Sequence, residues 1–418
     1  MDIDTYMQEL CEGARRAARV LASQSTDTKN AILSAMADSI DAEREYILTA
    51  NAEDLAHGRE RGLTSAMLDR LELTEKRMQS MTKGLRDAVA LPDPVGAVLD
   101  QRTRPSGITI TKVRVPLGVI GIIYESRPNV TADAAALCVK AGNVVVLRGG
   151  SEAFRSNKAI AAALQRALVQ LELPQEIVSF VETTDRAAVD YMLKAEGLID
   201  VIVPRGGESL VRKVAEMSRV PVLKHYDGIC HTYIAPSADV GKAVAIALNA
   251  KCQRPGVCNA METLLIDEEV AEQVIAALFP KLVEAGVELR GCERTRELYP
   301  EATPATEEDW RTEYLDLILA VKIVDGVDEA IEFINTYGSH HSDAIVAEDA
   351  HEAAHFLHNV DSATVYVNAS TRFTDGAEFG MGAEIGISTD KLHARGPVGL
   401  EELTTYKYLI RGDGTIRE

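Results

Sequence analysis

Residues 118–150 read "GVIGIIYESRPNVTADAAALCVKAGNVVVLRGG", and this stretch holds the pattern that decides the fold. "GVIGIIYE" (118–125) and "NVVVLRGG" (143–150) are short runs rich in valine and isoleucine, which is typical of parallel strands covered on both faces. Between them, "NVTADAAALCVKAG" (129–142) has the composition of a helix that ends at a glycine. A strand, a helix and a strand in this order predict a parallel βαβ unit.

The same alternation extends through most of the chain. Helices are predicted over 151–171 and 185–195, and strands over 176–182 and 199–207. A second series of strands and helices begins with "METLLI" (261–266) and ends with "ATVYVNAS" (363–370). Residues 1–92 lack strand patterns and place apolar residues such as Ile32, Met36 and Ile40 at helical spacing. We therefore predict an α/β protein in which two parallel-sheet domains meet near residue 255.

Two further segments predict a small β-structure apart from these domains. "GAVLDQRTRPSGITITKVRVPLG" (96–118) alternates like two paired strands around the turn "RPSG". The C-terminal "LTTYKYLIRGDGTIRE" (403–418) is expected to return as strands and to pair with that hairpin, in the same or another subunit.

Composition excludes several kinds of partner. The 418 residues carry a formal net charge of −20, which disfavours binding to nucleic acid or to anionic membranes. The longest apolar run, 115–124, is too short to span a bilayer. The N-terminus lacks the layout of a signal peptide, and the six cysteines include no CxxC pair. We therefore expect reduced thiols, no disulfides, no structural zinc and a cytoplasmic location.

Two similar turns suggest a binding site for a phosphorylated cofactor. "VVVLRGGSEA" (144–153) and "VIVPRGGESL" (201–210) each run from a strand through Arg-Gly-Gly into a helix. Glycines allow close approach of the backbone, and helix N-termini favour anions. The alternative is a pair of tight turns with solvated arginines, and no GxGxxG sequence is present.

A nucleophilic cysteine is predicted in "KCQRPGVCNAMETLLI" (251–266). Cys252 falls in the last turn of a helix predicted over 237–252, where packing is the expected role. Cys258 falls in the loop before the next strand, where catalytic groups tend to lie. Lys251 and Arg254 would lower the pKa of the Cys258 thiol if they point inward.

No metal site is predicted from the histidines. His340 and His341 are adjacent in a short loop, and adjacent side chains in extended backbone point apart, so they suit one ion poorly. His225 and His231 flank Cys230 without the spacing of metal ligands.

Several motifs carry a resemblance to a known family. They include "VPLGVIGII" (115–123), "QRPGVCNAMETLL" (253–265), "YGSHHSDAIVAED" (337–349), "STRFTDGAEFGMGAEIGIST" (370–389) and "ARGPVGLEELTTYKY" (394–408). The chain resembles the aldehyde dehydrogenase superfamily and, more narrowly, its γ-glutamyl phosphate reductases, from about residue 1 to 415.

The resemblance implies a division of the chain into three parts. Residues 1–97 and 116–255 correspond to a cofactor-binding domain, and residues 256–370 to a catalytic domain. The hairpin 98–115 and the C-terminal arm 395–418 correspond to an oligomerisation flap, so a homo-oligomer is implied.

The resemblance also implies roles for individual residues. Cys258 matches the nucleophile, beside Asn259. Arg148 stands where the superfamily has a lysine near the adenosine ribose, and a cation there suits the 2′-phosphate of NADP(H). The implied cofactor-binding residues are Arg148, Gly149, Gly150, Ser151, Glu152, Pro204, Arg205, Gly206, Gly207 and Glu313. The expected substrate-binding residues are Arg127, Arg372, Gly382, Ala383 and Ser388.

Three departures from ordinary aldehyde dehydrogenases refine these expectations. "HYDG" (225–228) stands in place of the stretch with the general-base glutamate, so that the base position falls on His225. "ESRPN" (125–129) replaces Pro-Trp-Asn, so that no side-chain oxyanion donor is assigned, Asn129 being two positions out of register. Leu315 replaces the phenylalanine that usually follows the ribose-binding glutamate, which weakens the assignment of Glu313.

The loss of a water-activating base suits a reductase. The implied activity is NADPH-dependent reduction of γ-glutamyl phosphate to glutamate-5-semialdehyde and phosphate through a Cys258 thioester, the second step of proline biosynthesis. A separate glutamate kinase is expected to supply the substrate. The alternative is an aldehyde dehydrogenase that oxidises a semialdehyde to the free acid.

Overall fold

The computed structural model describes residues 2–417 and divides into two compact units. The first unit extends to Lys224 and includes Gly380–Gly386 and the chain from Val398 onward. The second unit holds His225–Phe379 and Ile387–Pro397. The boundary therefore lies between residues 224 and 225 rather than near residue 255.

The first unit begins with five helices, in agreement with the prediction for residues 1–92. Side chains of Asp2, Ser25, Thr64 and Thr74 accept backbone N–H groups at the start of four of them, which fixes where these helices begin. The helices are α1 (Ile3–Leu21), α2 (Thr26–Ala42), α3 (Arg44–Glu60), α4 (Ser65–Leu71) and α5 (Glu75–Ala90).

Two antiparallel strands follow, β1 (Val98–Thr103) and β2 (Thr109–Pro116). The turn between them contains Gly107, whose φ of +92° favours glycine. Near the C-terminus, β16 (Thr404–Arg411) pairs with β2 of the same chain, and the sheet order is β1-β2-β16. The predicted hairpin and the returning C-terminal strand are thus confirmed, with the pairing within one chain.

A four-stranded parallel sheet forms the centre of the first unit, in the order β5-β4-β3-β6. All residues of β3 and β4 are buried, and the βαβ unit expected from residues 118–150 is confirmed. The strands are β3 (Val119–Tyr124), β4 (Val144–Gly149), β5 (Val178–Phe180) and β6 (Val201–Arg205). The helices are α6 (Val130–Lys140), α7 (Phe154–Gln170), α8 (Ala187–Lys194) and α9 (Glu208–Met217).

The second unit contains a seven-stranded parallel sheet in the order β10-β9-β11-β8-β7-β12-β13. Its strands are β7 (Cys230–Ile234), β8 (Met261–Asp267), β9 (Glu288–Gly291), β10 (Thr303–Pro304), β11 (Ile318–Val324), β12 (Ser342–Val346) and β13 (Thr364–Val367). Its helices are α10 (Val240–Cys252), α11 (Ala271–Glu284), α12 (Glu293–Leu298), α13 (Gly326–Tyr337) and α14 (Ala350–Asn359). A short antiparallel pair, β14 (Ile387–Ser388) and β15 (Gly396–Pro397), completes the unit.

Strand β7 explains the shifted boundary. Its sequence, "CHTYI", contains polar residues and does not look like a central strand, yet all five residues are buried. His231 Nδ1 lies 2.8 Å from Asp343 Oδ1 on β12, and both side chains are fully buried. Because β7 also pairs with β8 and β12, it belongs to the second unit, and α10, which follows it, lies in the same unit.

Two remaining expectations concern the whole chain. Within residues 2–417, no helix is both long and apolar enough to cross a membrane. The six cysteines are free thiols in the structure.

Candidate active site

Cys258 lies in the loop between α10 and β8 and is half-buried. Asp239 caps the start of α10 by accepting the N–H of Lys242, and Cys252 is the last residue of that helix. Cys252 packs against the buried apolar cluster of the second unit, and burial raises the pKa of its thiol. The packing role predicted for Cys252 is confirmed.

The backbone of Cys258 is held against the segment that precedes β7. A Cβ atom added to Gly228 would lie 2.0 Å from the carbonyl oxygen of Cys258 and 2.4 Å from its Cα. The Gly228 N–H donates to Glu313 Oε1 at 3.0 Å, and the Cys230 thiol donates to the Cys258 carbonyl at 3.2 Å. Only glycine fits at residue 228, and this requirement gives no local sequence signal.

Two histidines lie next to Cys258. One ring nitrogen each of His225 and His341 and the Sγ atom of Cys258 all lie within 4.8 Å of one another. The two rings meet edge to face with centroids 5.5 Å apart. His225 therefore lies beside Cys258, and the resemblance places the base position at this residue.

His341 is a site residue that the sequence did not indicate. Its side chain is fully buried, and burial, with a smaller contribution from His225, lowers its pKa to about 3. Its Nδ1 lies 2.9 Å from Ser342 Oγ. The neighbouring His340 instead directs Nδ1 to the carbonyl of Asp361 at 2.6 Å, so the two adjacent rings point to different partners, as expected.

Asn259 and Arg372 are two further predicted site residues near Cys258. Asn259 Nδ2 donates to the carbonyl of Thr374 at 2.8 Å, which turns its amide into the protein. Arg372 donates to Gln253 Oε1 at 2.9 Å. Burial, followed by the nearby Arg254, lowers the pKa of Arg372, whereas Cys258 acts in the opposite direction. A guanidinium thus lies within electrostatic range of the Cys258 thiol.

A buried ion pair joins the two sides of the loop. Lys251 Nζ at the end of α10 lies 2.5 Å from Glu262 Oε2 on β8, and neither side chain is exposed. Glu262 Oε1 also accepts the N–H of Leu315 at 3.3 Å. Burial raises the pKa of Glu262 although Lys251 opposes that shift. Lys251 does point inward, but its charge is paired with Glu262, and Arg254 is exposed.

In the first unit, Arg148 is not a solvated arginine. Its guanidinium is buried and donates to the carbonyls of Gly149 at 2.8 Å and Thr184 at 3.0 Å. Burial is the main cause that lowers its pKa. Its Nε is buried and has no hydrogen-bond partner among residues 2–417. This unmatched donor and the buried charge suit an anionic ligand group.

The first Arg-Gly-Gly turn owes its glycines to packing. A Cβ at Gly149 would lie 2.1 Å from Asn157 Nδ2, and one at Gly150 would lie 2.2 Å from Glu152 Oε1. Glu152 in turn accepts the N–H and hydroxyl of Ser126 at 2.6 and 2.9 Å. Ser151 opens a single 3-10 turn, Ser151–Ala153, which leads into α7.

The second turn carries a carboxylate at the start of α9. Pro204 and Arg205 end β6, and the Gly207 N–H donates to Glu125 Oε2 at 3.1 Å. A Cβ at Gly206 would lie 2.4 Å from the same oxygen, whereas space beside Gly207 is open. The Gly207 N–H thus has a carboxylate oxygen of the chain itself as its acceptor, and a phosphate group at this turn would have to replace Glu125.

The predicted substrate-binding residues fall in both units. Ser388 is buried on β14, and the carbonyl of its neighbour Ile387 lies 2.9 Å from His225 Nδ1. Ser388 and Arg372 thus share the second unit with Cys258. Arg127 and Ala383 are exposed and belong to the first unit. Gly382 is also in the first unit, with a φ of +78° and Leu91 Cδ2 2.3 Å from the position of a Cβ.

Comparisons with known proteins identify the family of the chain. Residues 4–290 match the model of the aldehyde dehydrogenase family. A γ-glutamyl phosphate reductase from Moorella thermoacetica is 56% identical over 418 residues, the whole of both chains. A solved γ-glutamyl phosphate reductase from Thermotoga maritima is 48% identical, covers 99% of this chain and 100% of that chain, and has a TM-score of 0.97. One from Saccharomyces cerevisiae is 34% identical, covers 99% and 98% of the two chains, and has a TM-score of 0.55. The chain belongs to the aldehyde dehydrogenase family.

Proposed function

We propose that this enzyme reduces γ-glutamyl phosphate to glutamate-5-semialdehyde and phosphate through a thioester on Cys258, with NADPH as the reductant. The proposal rests on one observation: Cys258 lies in a loop whose backbone packs against Gly228, and its side chain lies beside His225. Aldehyde dehydrogenases that hydrolyse their thioester have glutamate at the position of His225. The names of the similar proteins from Moorella and Thermotoga support the choice of substrate. The reaction is the second step of proline biosynthesis from glutamate.

The first step forms the thioester. His225 accepts the thiol proton, because the buried His341, with a pKa lowered to about 3, is a weak base. The Cys258 thiolate attacks the acyl carbon, the bond from that carbon to the phosphate oxygen breaks, and phosphate leaves with both bonding electrons. Backbone N–H groups of Cys258 and Asn259 stabilise the tetrahedral oxyanion, an effect of about 3–4 kcal/mol for one donor.

Residues of the two Arg-Gly-Gly turns and Glu313 are proposed to hold the cofactor. The unmatched Nε of Arg148 suits one of its phosphate groups, and the Arg148 cation favours NADP over NAD. When bound, the reduced nicotinamide supplies the hydride that brings the thioester to the aldehyde level. The alkoxide left on the acyl carbon then expels the Cys258 thiolate, and this collapse requires no proton.

The substrate also carries charged groups that need partners. Arg372 is proposed to bind the departing phosphate, because it is half-buried and electrostatically coupled to Cys258. Ser388 lies next to Ile387, whose carbonyl contacts His225. Arg127, Gly382 and Ala383 remain proposed contacts for the glutamyl carboxylate and amino group.

The location and partners are proposed on other grounds. A separate glutamate kinase supplies the acyl phosphate in the cytoplasm. The sheet β1-β2-β16 is proposed to form a homo-oligomer, since Val98, Tyr408 and Ile410 on it are 60%, 51% and 61% exposed. Isolated exposed apolar side chains are common, but a group on one sheet favours an interface. Size-exclusion chromatography of Tyr408→Lys tests this surface, and a wild-type elution volume contradicts it.

The reverse reaction tests the proposal. We expect the wild-type protein to oxidise glutamate-5-semialdehyde with NADP only when phosphate is present. Cys258→Ala should abolish this turnover, while Cys252→Ala, which changes the nearby packed thiol, should retain it. Oxidation that proceeds without phosphate and yields glutamate would instead establish the semialdehyde dehydrogenase that forms the free acid.

A further inference from the structure

The residues around the nucleophile also form a potential metal site. A ring nitrogen of His225, a ring nitrogen of His341 and Cys258 Sγ lie within 4.8 Å of one another. Two imidazoles and one thiolate form a ligand set suited to Zn²⁺, as in catalytic zinc sites with three protein ligands and an open fourth position. The three residues lie far apart in the sequence, so no spacing motif indicates this set.

The second partner of the His225 ring matches that of metal-binding histidines. His225 Nδ1 lies 2.9 Å from the carbonyl of Ile387. Because a carbonyl only accepts, Nδ1 carries the proton, and in the neutral ring Nε2 carries a lone pair. Histidines that bind metals usually donate the other ring N–H to a carbonyl or carboxylate, which fixes their orientation.

His341 supplies an independent observation. Its side chain is fully buried, its Nδ1 lies 2.9 Å from Ser342 Oγ, and its Nε2 has no hydrogen-bond partner among residues 2–417. A buried polar atom without a partner is uncommon and suggests an ion or ligand that the chain itself does not provide. Ser342 is in turn held by the hydroxyl groups of Thr364 and Thr374.

We propose that Cys258 Sγ, His225 Nε2 and His341 Nε2 bind Zn²⁺ and that this binding reversibly inhibits the enzyme. The Cys258 thiol releases its proton when it coordinates the ion. Ligands at about 2.0–2.1 Å for nitrogen and 2.3 Å for sulfur in a tetrahedron lie about 3.3–3.6 Å apart. The half-buried Cys258 and His225 side chains therefore move inward by up to about 1.5 Å, toward the fixed His341.

Binding and inhibition are separate parts of this inference. The inhibition rests on the proposed function, because it follows only if Cys258 is the nucleophile. The binding does not depend on that assignment. The open fourth position leaves room for a chelator, so EDTA should restore activity.

Co²⁺ provides a direct spectroscopic probe of the site. Titration of the wild-type protein should give the strong visible absorption of a tetrahedral ion and a near-ultraviolet band from thiolate coordination. Cys258→Ser should lose the near-ultraviolet band. His340→Asn is the matched control, because it changes the adjacent ring that faces Asp361, and it should behave as the wild type.

Zn²⁺ affinity, measured by competition with Co²⁺, tests the two histidines. His225→Asn and His341→Asn should each weaken Zn²⁺ binding by at least about 10-fold, since loss of an outer-shell partner alone costs 10–100-fold. If the buried His341→Asn variant fails to fold, the half-buried His225→Asn decides the outcome. The metal site would be overturned if the histidine variants bound Zn²⁺ as tightly as the wild-type protein. It would also be overturned if the Co²⁺ spectrum of the wild-type protein lacked the near-ultraviolet thiolate band.

Activity after incubation with Zn²⁺ and removal of the unbound ion tests the inhibition. We expect loss of turnover that EDTA reverses. A Zn²⁺-loaded enzyme that retains full activity would overturn the inhibition and also the role of Cys258 as nucleophile. If Cys258→Ala is inactive and the wild-type protein binds no Co²⁺, the metal site is overturned while the proposed function of Cys258 stands.

Discussion

The buried ion pair between Lys251 and Glu262 offers a sharp test of how the Cys258 loop is held. Neither side chain is exposed, and their charged atoms lie 2.5 Å apart. Lys251→Met removes the cation and leaves the Glu262 carboxylate buried. Removing one member of such a pair costs about 3–5 kcal/mol of unfolding free energy. With a urea slope of about 2 kcal/mol/M, the unfolding midpoint falls by about 1.5–2.5 M.

The pH dependence of this loss has a definite sign. Burial raises the pKa of Glu262 above its ordinary value, and removal of Lys251 raises it further. A carboxyl group with a raised folded-state pKa contributes stability below its unfolded pKa and loses it as the pH rises through the folded pKa. The deficit of Lys251→Met is therefore smaller at about pH 5.5 than at about pH 8.

Two companion variants separate the buried charge from simple loss of packing. Glu262→Gln keeps the oxygen that accepts the Leu315 N–H but leaves the Lys251 cation unpaired, so it should also destabilise the fold. The double variant Lys251→Met/Glu262→Gln should recover at least half of the loss. On the same helix, Lys242 forms an exposed pair with Glu348, and Lys242→Met should cost less than about 1 kcal/mol.

Urea unfolding followed by circular dichroism at both pH values measures these differences. A Lys251→Met deficit as small as that of Lys242→Met would refute the reasoning. A deficit that is the same at both pH values would show that lost packing, rather than a buried unpaired charge, causes the destabilisation.

Three further predictions concern the site. Gly228→Ala should lower kcat by about 100-fold, since a 1 Å displacement of a reacting group has that cost. The control Gly256→Ala, whose Cβ would meet its nearest atom at 3.6 Å, should keep kcat within about 3-fold of the wild-type value. Equal kinetics of the two variants would contradict this prediction. Arg148→Ser should raise KM for NADP at least about 10-fold more than KM for NAD, the value of one charged hydrogen bond; an unchanged ratio from steady-state kinetics would remove Arg148 from the 2′-phosphate site. Because burial lowers the pKa of His341 to about 3, this ring stays neutral from about pH 5 upward, and the pH–rate profile of His341→Asn should keep its acidic limb; loss of that limb would assign the titration to His341.

The fold was predictable wherever apolar periodicity and glycines coincide. The strand, helix and strand of residues 118–150 and the packed position of Cys252 are local properties, and both are confirmed. Strand β7 was not predictable, because Nδ1 of the buried His231 pairs with Asp343, more than a hundred residues later in the chain. Central strands stabilised by such distant polar partners carry no local signature.

The candidate site was predictable only in part for a similar reason. Cys258 and His225 follow from their positions in recognisable motifs. His341 and Gly228 matter because of contacts with Cys258 that only the folded chain creates. Gly149 and Gly150 show the opposite case. Their sequence pattern suggested that a ligand approaches the backbone, but a Cβ at either position would collide with a side chain of the protein, Asn157 or Glu152.

The contact between Gly228 and the backbone of Cys258 also bears on how the chemistry of this fold changes during evolution. The segment that ends at Gly228 carries residue 225, and it cannot shift without moving Cys258. A new side chain at residue 225 is therefore presented to Cys258 from an unchanged backbone. Under the proposed function, substitution at this one position changes the group that faces the thioester, while the loop that holds the cysteine keeps its backbone path.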